Sequence, residues 1–176
     1  MNTIDALREL LPSHIKDTKL NLSNVLTEEG APDLLQKQIF SIALASAYAT
    51  KQSEVISALL GSAGDILTDQ EREAAQSAAV IMGMNNVYYR FIHLVGDKSY
   101  AKLPAKLRMN VIAQPGVPKV DFELSCLAVS AINGCGMCMD AHVNELVKAG
   151  VSQLAIQSAI RIASVINSAA MGMVSA

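Results

Sequence analysis

Charge is scarce in this chain. Only 17% of its 176 residues are Asp, Glu, Lys or Arg, the formal net charge is −2, and no long basic run occurs. Nucleic acids and anionic membrane surfaces are held first by clustered Lys and Arg, so neither has an electrostatic footprint here. A secretory leader is not expected either, because Asp5, Arg8 and Glu9 interrupt any apolar stretch within residues 1–11. The longest candidate membrane segment, residues 162–174, is about half of the roughly 20 residues that a bilayer requires. Gly-rich phosphate loops, nucleotide fingerprints and G-x-S-x-G are lacking too. These absences predict a soluble, cytoplasmic protein without a nucleic-acid or membrane partner.

What the chain does have is apolar material. Hydrophobic residues make up 51% of it, more than a monomer of this size readily buries, so self-association is expected. Clean apolar/polar alternation is missing, whereas Ala, Leu, Met, Gln and Glu favour helix, so the fold class is all-α. Thr68-x-x-Glu71 reads as a capping box opening a long helix from residue 69 to about 95. Pro32 suits the first turn of a helix from about 31 to 50. Gly150 closes one helix, and Ser152 caps a last one running to about 173. The two prolines and glycine of residues 113–119 (AQPGVPK) mark a linker.

That linker separates two similar stretches. Residues 40–51 (FSIALASAYATK) overlay residues 124–135 (LSCLAVSAINGC), and residues 74–82 share Gln-Ser-Ala with residues 154–162. The expected organisation is a single domain, 1–176, with a first half at about 1–112 and a second at about 120–176 as a pseudo-repeat. Ala-rich helices can also resemble one another by composition alone. Either way, only the second half carries a cysteine pair.

The chemistry concentrates in residues 122–150 (FELSCLAVSAINGCGMCMDAHVNELVKAG). Residues 123–132 suit a helix, Asn133-Gly134 a turn, and a new helix starts at or near Cys135. Unpaired N–H groups and the positive dipole end of a first turn favour thiolate over thiol. C-x-x-C spacing brings two sulfurs close enough to form or break a disulfide. His142 lies four residues after Cys138 and seven after Cys135, on one helix face, and can accept and return a thiol proton. Glu123, on the preceding helix, can approach His142 if the two helices pack antiparallel. There it would hold the histidine's tautomer or join a water-mediated proton relay.

Duller readings stand beside this one. The two cysteines alone suit burial as small apolar residues. They also suit half of a zinc site with His142 and Glu123 or Cys126, although no second C-x-x-C or His pair completes the usual four ligands. His142 and Glu123, taken singly, suit the surface. Cys126 reads as a core residue, His14 as surface, His93 as core or interface, and the eight methionines as core filler. In a reducing compartment a close cysteine pair is more often redox-active or metal-binding than a structural staple. Taken together, the spacing favours a thiol–disulfide redox enzyme working through Cys135 and Cys138.

LAVSAINGCGMCMDAH with its upstream Glu123, together with IMGMNNVYYRF at residues 81–91, resembles the AhpD alkylhydroperoxidases of the carboxymuconolactone decarboxylase-like superfamily. The resemblance covers essentially the whole chain. It implies an all-helical AhpD-like fold, a homotrimer or hexamer, and an antioxidant, thiol-dependent alkyl hydroperoxide reductase that also regenerates the peroxiredoxin AhpC. It implies no bound cofactor or metal, with electrons from dihydrolipoamide on a lipoylated acyltransferase recharged by dihydrolipoamide dehydrogenase. Residue by residue, it implies Cys138 as the peroxide-attacking thiolate and Cys135 as proton donor and resolving thiol, with Glu123 and His142 as the relay. Two positions depart from the pattern. Met137 stands where some members carry a histidine, and Val143 where a glutamate often follows the histidine. The alternatives are a general dithiol–disulfide reductase with another partner and a non-catalytic zinc-stabilised helical module.

Overall fold

The computed structural model describes residues 3–174. Among them there is no strand, and the chain folds as nine α-helices with two short 3-10 turns. They are α1 (Ile4–Leu10), α2 (Lys16–Val25), α3 (Gln36–Thr50), α4 (Ser53–Ala63), α5 (Asp69–Leu94), α6 (Asn110–Ala113), α7 (Lys119–Ile132), α8 (Gly136–Lys148) and α9 (Gln153–Val174).

Two helices are buried on every side over their central turns, and these occupy the centre. Every residue from Ile39 to Ala47 of α3 is buried, as is every residue from Phe122 to Ser130 of α7. A helix with no polar face has nowhere to go but inside. Two of their buried serines are satisfied within the helix: Ser46 Oγ donates to the Ile42 carbonyl at 2.7 Å and Ser125 Oγ to the Asp121 carbonyl at 3.1 Å. α5, α8 and α9 pack around this pair with one apolar face each. On α9 that face is Ala155, Ala159, Ile162, Ala163, Ile166 and Ala170, spaced three or four apart.

The helix ends follow the local chemistry. At α5 the Thr68 Oγ1 accepts from the Glu71 amide at 3.2 Å, while Glu71 Oε2 accepts from the Thr68 amide at 2.9 Å. Ser152 Oγ accepts from the Ala155 amide at 3.0 Å and opens α9. Gly150, at φ +81°, lets the Val151 amide reach back to the Leu146 carbonyl and closes α8. The 113–119 stretch spans the connection between α6 and α7, residues 114–118, as the prolines indicate.

Three expectations need correction. The helix expected from about residue 31 begins at Gln36, because Asp33 takes a left-handed φ of +65° that no α-helix accommodates. Its start is fixed by Gln38, whose Oε1 accepts from the Leu35 amide at 2.9 Å. His93, read as core or interface, lies exposed near the end of α5, which corrects the core half of that reading. The apolar stretch expected over 162–174 belongs to the longer α9, of which Gln153–Met173 is long and apolar enough to cross a membrane by length and composition. In this fold that helix packs against α2, α3 and α7.

Candidate active site

The site lies where α5, α7 and α8 meet. α7 ends at Ile132, and the chain reverses through Asn133 and Gly134, the latter at φ +68°. That left-handed conformation suits glycine. The reversal lays α8 back along α7. It is pinned from α5: Asn86 Nδ2 donates to Ser130 Oγ at 3.0 Å, Asn133 Nδ2 donates to Asn86 Oδ1 at 2.9 Å, and Arg90 Nη1 donates to the Asn133 carbonyl at 2.5 Å. Asn86 is therefore fully engaged while buried. Asn86→Leu should destabilise the fold by about 2–3 kcal/mol, the loss of two buried hydrogen bonds. Urea denaturation measures this, and a change below about 0.5 kcal/mol, the usual surface value, would remove the residue from the turn's support.

Cys135 forms the N-cap of α8, its amide donating to the Ser130 carbonyl at 3.0 Å. Cys138 follows in the first turn, where the helix's free N–H groups and dipole stabilise a thiolate. The two sulfurs are joined as a disulfide across a Cα–Cα distance of 5.3 Å. Burial separates their positions. Cys135 is fully enclosed, whereas Cys138 is 7% exposed and lines a cavity of about 370 Å³. A reagent entering that cavity meets Cys138.

Glu123 and His142, which a lone reading puts at the surface, are both buried and in contact. His142 Nδ1 lies 2.6 Å from Glu123 Oε2, with the carboxylate brought across by the antiparallel packing of α7 and α8. The second ring nitrogen, Nε2, lies 3.2 Å from the Met82 thioether sulfur. A thioether cannot donate, so this contact is satisfied when Nε2 carries a proton. The ring thus faces acceptors on both sides. Among the described residues no hydrogen bond joins His142 to either cysteine. The arrangement brings Glu123 to His142 and Cys135 to Cys138, and it places Cys138 and His142 on the same cavity without direct hydrogen bonding.

Cys126 is fully buried one turn after Glu123. Burial pushes its thiol well above the ordinary range, and the Glu123 charge pushes it further the same way. It is therefore inert as a nucleophile in the folded chain. Alkylation of the reduced native protein at neutral pH should label Cys138 first, with Cys126 reacting only after denaturation. Mass spectrometry counts the adducts, and native labelling of Cys126 would contradict its enclosure. Among the described residues no group of three or more His, Cys, Asp or Glu side chains is arranged to hold a metal ion.

The rest of the cavity was not anticipated. Met82, Asn85 and Tyr89 of α5 form one wall, Met109 and Ile112 from the α6 region another, and Met137, Ala141 and Glu145 of α8 the rim. Met137 lines the cavity as an apolar group. Hydrogen bonds from Lys148 and Lys119 hold the exposed Glu145 carboxyl below its usual range. A sequence signal did exist: Asn85 and Asn86 stand where the three-and-four spacing of the buried alanines on α5 continues, so two amides had to be buried.

The chain is 52% identical to an alkyl hydroperoxide reductase AhpD of Coxiella burnetii (strain Dugway 5J108-111) over 164 residues, 93% of each protein. It is 50% identical to the AhpD of Methylocella silvestris over 171 residues, 97% of this chain and 94% of that one. This chain belongs to the AhpD family. The AhpD of Rhodopseudomonas palustris (strain BisB18) is 52% identical over 97% of this chain and 93% of its own length. The Carboxymuconolactone decarboxylase family profile matches residues 98–173, the part that contains α7, α8, α9 and both redox cysteines. The all-helical fold and the C-x-x-C pair are thus those of an AhpD protein.

Proposed function

We propose that this AhpD-family chain is an oxidoreductase that reduces alkyl hydroperoxides through a dithiol–disulfide cycle. The observation that carries this reading is the joined Cys135–Cys138 pair at the wall of an apolar cavity, with Cys138 facing in.

In the oxidative half, the Cys138 thiolate attacks the terminal oxygen of ROOH. The S–O bond forms as the O–O bond breaks, the leaving alkoxide takes the Cys135 proton, and alcohol departs. Cys138 is left as a sulfenic acid. The Cys135 thiolate then attacks the Cys138 sulfur, and hydroxide leaves with a proton from the His142–Glu123 pair as water. In the reductive half, a dithiol attacks the disulfide at the accessible Cys138 sulfur through a mixed disulfide and leaves oxidised. The buried His142–Glu123 pair stores the proton that each half exchanges, with water bridging to the sulfur.

The electron donor in this reading is dihydrolipoamide on a lipoylated acyltransferase, recharged by dihydrolipoamide dehydrogenase and NADH. The protein partner is the peroxiredoxin AhpC, whose disulfide the reduced pair attacks. The assembly is a homotrimer or hexamer of single-domain chains in the cytoplasm, each chain a pseudo-repeat of about 1–112 and 120–176. The exposed Val80, Val87, Phe91 and Leu94 on α5 supply apolar surface for association.

A coupled assay tests the reading. Dihydrolipoamide dehydrogenase, lipoamide and cumene hydroperoxide are combined with NADH, with and without AhpC. NADH oxidation should require this chain and both cysteines. Oxidation that proceeds equally without either cysteine would overturn the proposal.

A further inference from the structure

His142 has two ring nitrogens, and the proposed cycle needs only one of them to exchange a proton. Nδ1 lies 2.6 Å from Glu123 Oε2, and Nε2 lies 3.2 Å from the Met82 sulfur. At that distance no water fits between ring and sulfur. Met82 is fully buried, and its sulfur meets a second donor: Asn86 Nδ2 lies 3.9 Å away, one turn along α5. Asn86 is itself tied to Ser130 and Asn133. The sulfur is thus held both by the helix that carries it and by the turn before Cys135. A stronger acceptor stands on the same helix, the Asn85 Oδ1, yet it is enclosed without a partner and makes no hydrogen bond to the ring. Among the described residues, Glu123 and Met82 are the ring's hydrogen-bond partners; Tyr89, Glu145 and Cys138 line the same cavity without bonding to it.

We infer that Met82 is a positioning residue that keeps a hydrogen on His142 Nε2, so that the proton exchanged in the cycle is the one held between Nδ1 and Glu123 Oε2. The inference rests on the peroxide-reducing reading above and deepens it. The physical reason lies in which proton can leave. With Nε2 bare, the ring's single hydrogen sits on Nδ1, and giving it up would leave an imidazolate anion, which does not form near neutral pH. With Nε2–H retained, the proton on the Nδ1–Oε2 link departs and the ring remains a neutral imidazole. Disulfide closure uses that proton. The Cys135 thiolate attacks the Cys138 sulfur, the S–S bond forms as the S–O bond breaks, and the departing hydroxide takes the proton through cavity water and leaves as water. Reduction restores it. As the donor dithiol opens the disulfide, one of its two protons goes to Cys135 and the other to the link, and Cys138 is left as thiolate. Nε2 keeps its hydrogen throughout, and Met82 changes neither charge nor oxidation state.

The test joins NMR of the ring nitrogens in the isotope-labelled full-length chain to single turnover of the reduced chain with cumene hydroperoxide. The chain has three histidines, and the His142 signals are those lost in His142→Phe. In wild type, Nε2 should carry a hydrogen at every pH at which the fold is intact. Met82→Leu keeps the side-chain volume, a swap that cores tolerate, and removes the acceptor. A buried Nε2–H without a partner is costly, so in this variant the hydrogen should move to Nδ1. Disulfide closure should then slow about tenfold, the equivalent of one neutral hydrogen bond, while the second-order attack on peroxide stays at the wild-type rate. Met82→Gln offers an amide oxygen to Nε2–H and should restore both the tautomer and the rate of closure. A bare Nε2 in an active wild-type chain would overturn this inference alone, as would wild-type closure in Met82→Leu. Slower closure that follows Tm in both variants with the tautomer unchanged would show support of the fold only, and overturns it too. A wild-type chain that cumene hydroperoxide fails to oxidise overturns the proposed function and the proton route with it.

Discussion

Cys138→Ser is expected to lower peroxide reduction and disulfide exchange at least about a thousandfold, the scale on which removal of a nucleophile acts. A serine hydroxyl is neither ionised near neutral pH nor able to form a disulfide, so both halves of the cycle stop. The effect of Cys135→Ser should differ in kind. Cys138 still faces the cavity in that variant, and one equivalent of peroxide still oxidises it. With no resolving thiol the reaction halts at the sulfenic acid, which a dimedone adduct at Cys138 reports by mass. The physical ground for this asymmetry is burial, since Cys135 is fully enclosed behind its partner. A dimedone adduct at Cys135 in Cys138→Ser, or sustained turnover by that variant, would reverse or remove the assigned roles.

His142→Phe should slow the steps that move a proton by about a hundredfold or more, the lower end of what a positioned acid–base group contributes. It should also shift iodoacetamide alkylation of the reduced pair to higher pH. The sign follows from electrostatics. A proton on the imidazole near the first turn of α8 favours the thiolate, so its removal leaves thiolate formation to higher pH. Glu123→Gln should act in the same direction, because the carboxylate oxygen 2.6 Å from Nδ1 fixes the ring's orientation. Since the two groups act as one unit, the double variant should be no slower than the slower single variant within error. Stopped-flow thiol oxidation across pH 5–9 measures all three. Additive losses, or an alkylation profile identical to wild type, would take the pair out of the relay.

The parts of the site that depend on short-range spacing were legible in the chain. Cys135 and Cys138 are three residues apart, and Asn133-Gly134 precedes them, so a turn followed by a helix start carrying both sulfurs needed no knowledge of the rest of the fold. The capping box of Thr68 and Glu71 and the cap at Ser152 were legible for the same reason, because their partners lie within one helical turn. The start of α3 was misjudged. Pro32 is compatible with a first turn, but the left-handed Asp33 beside it is set by how the loop meets its neighbours. Ser152 Oγ donates to Asp33 Oδ2 at 2.7 Å, a contact across 119 residues.

Contacts between distant helices were beyond the reach of spacing. Glu123 and His142 were assignable as a pair only on the condition of antiparallel packing, and the α7–α8 reversal supplies it. Met82 against His142 Nε2 and Asn85 beside Cys138 come from the way α5 crosses the other two helices. Nothing local to residues 81–91 encodes that crossing. The sequence by itself determined the helical class, the turn before Cys135 and the presence of a redox-capable cysteine pair, because each depends on residues within a few positions of one another. Only the tertiary structure decided which cysteine faces the cavity, what the histidine touches and which asparagine is left unpaired. Those outcomes depend on which helix faces pack together, which the whole core sets at once.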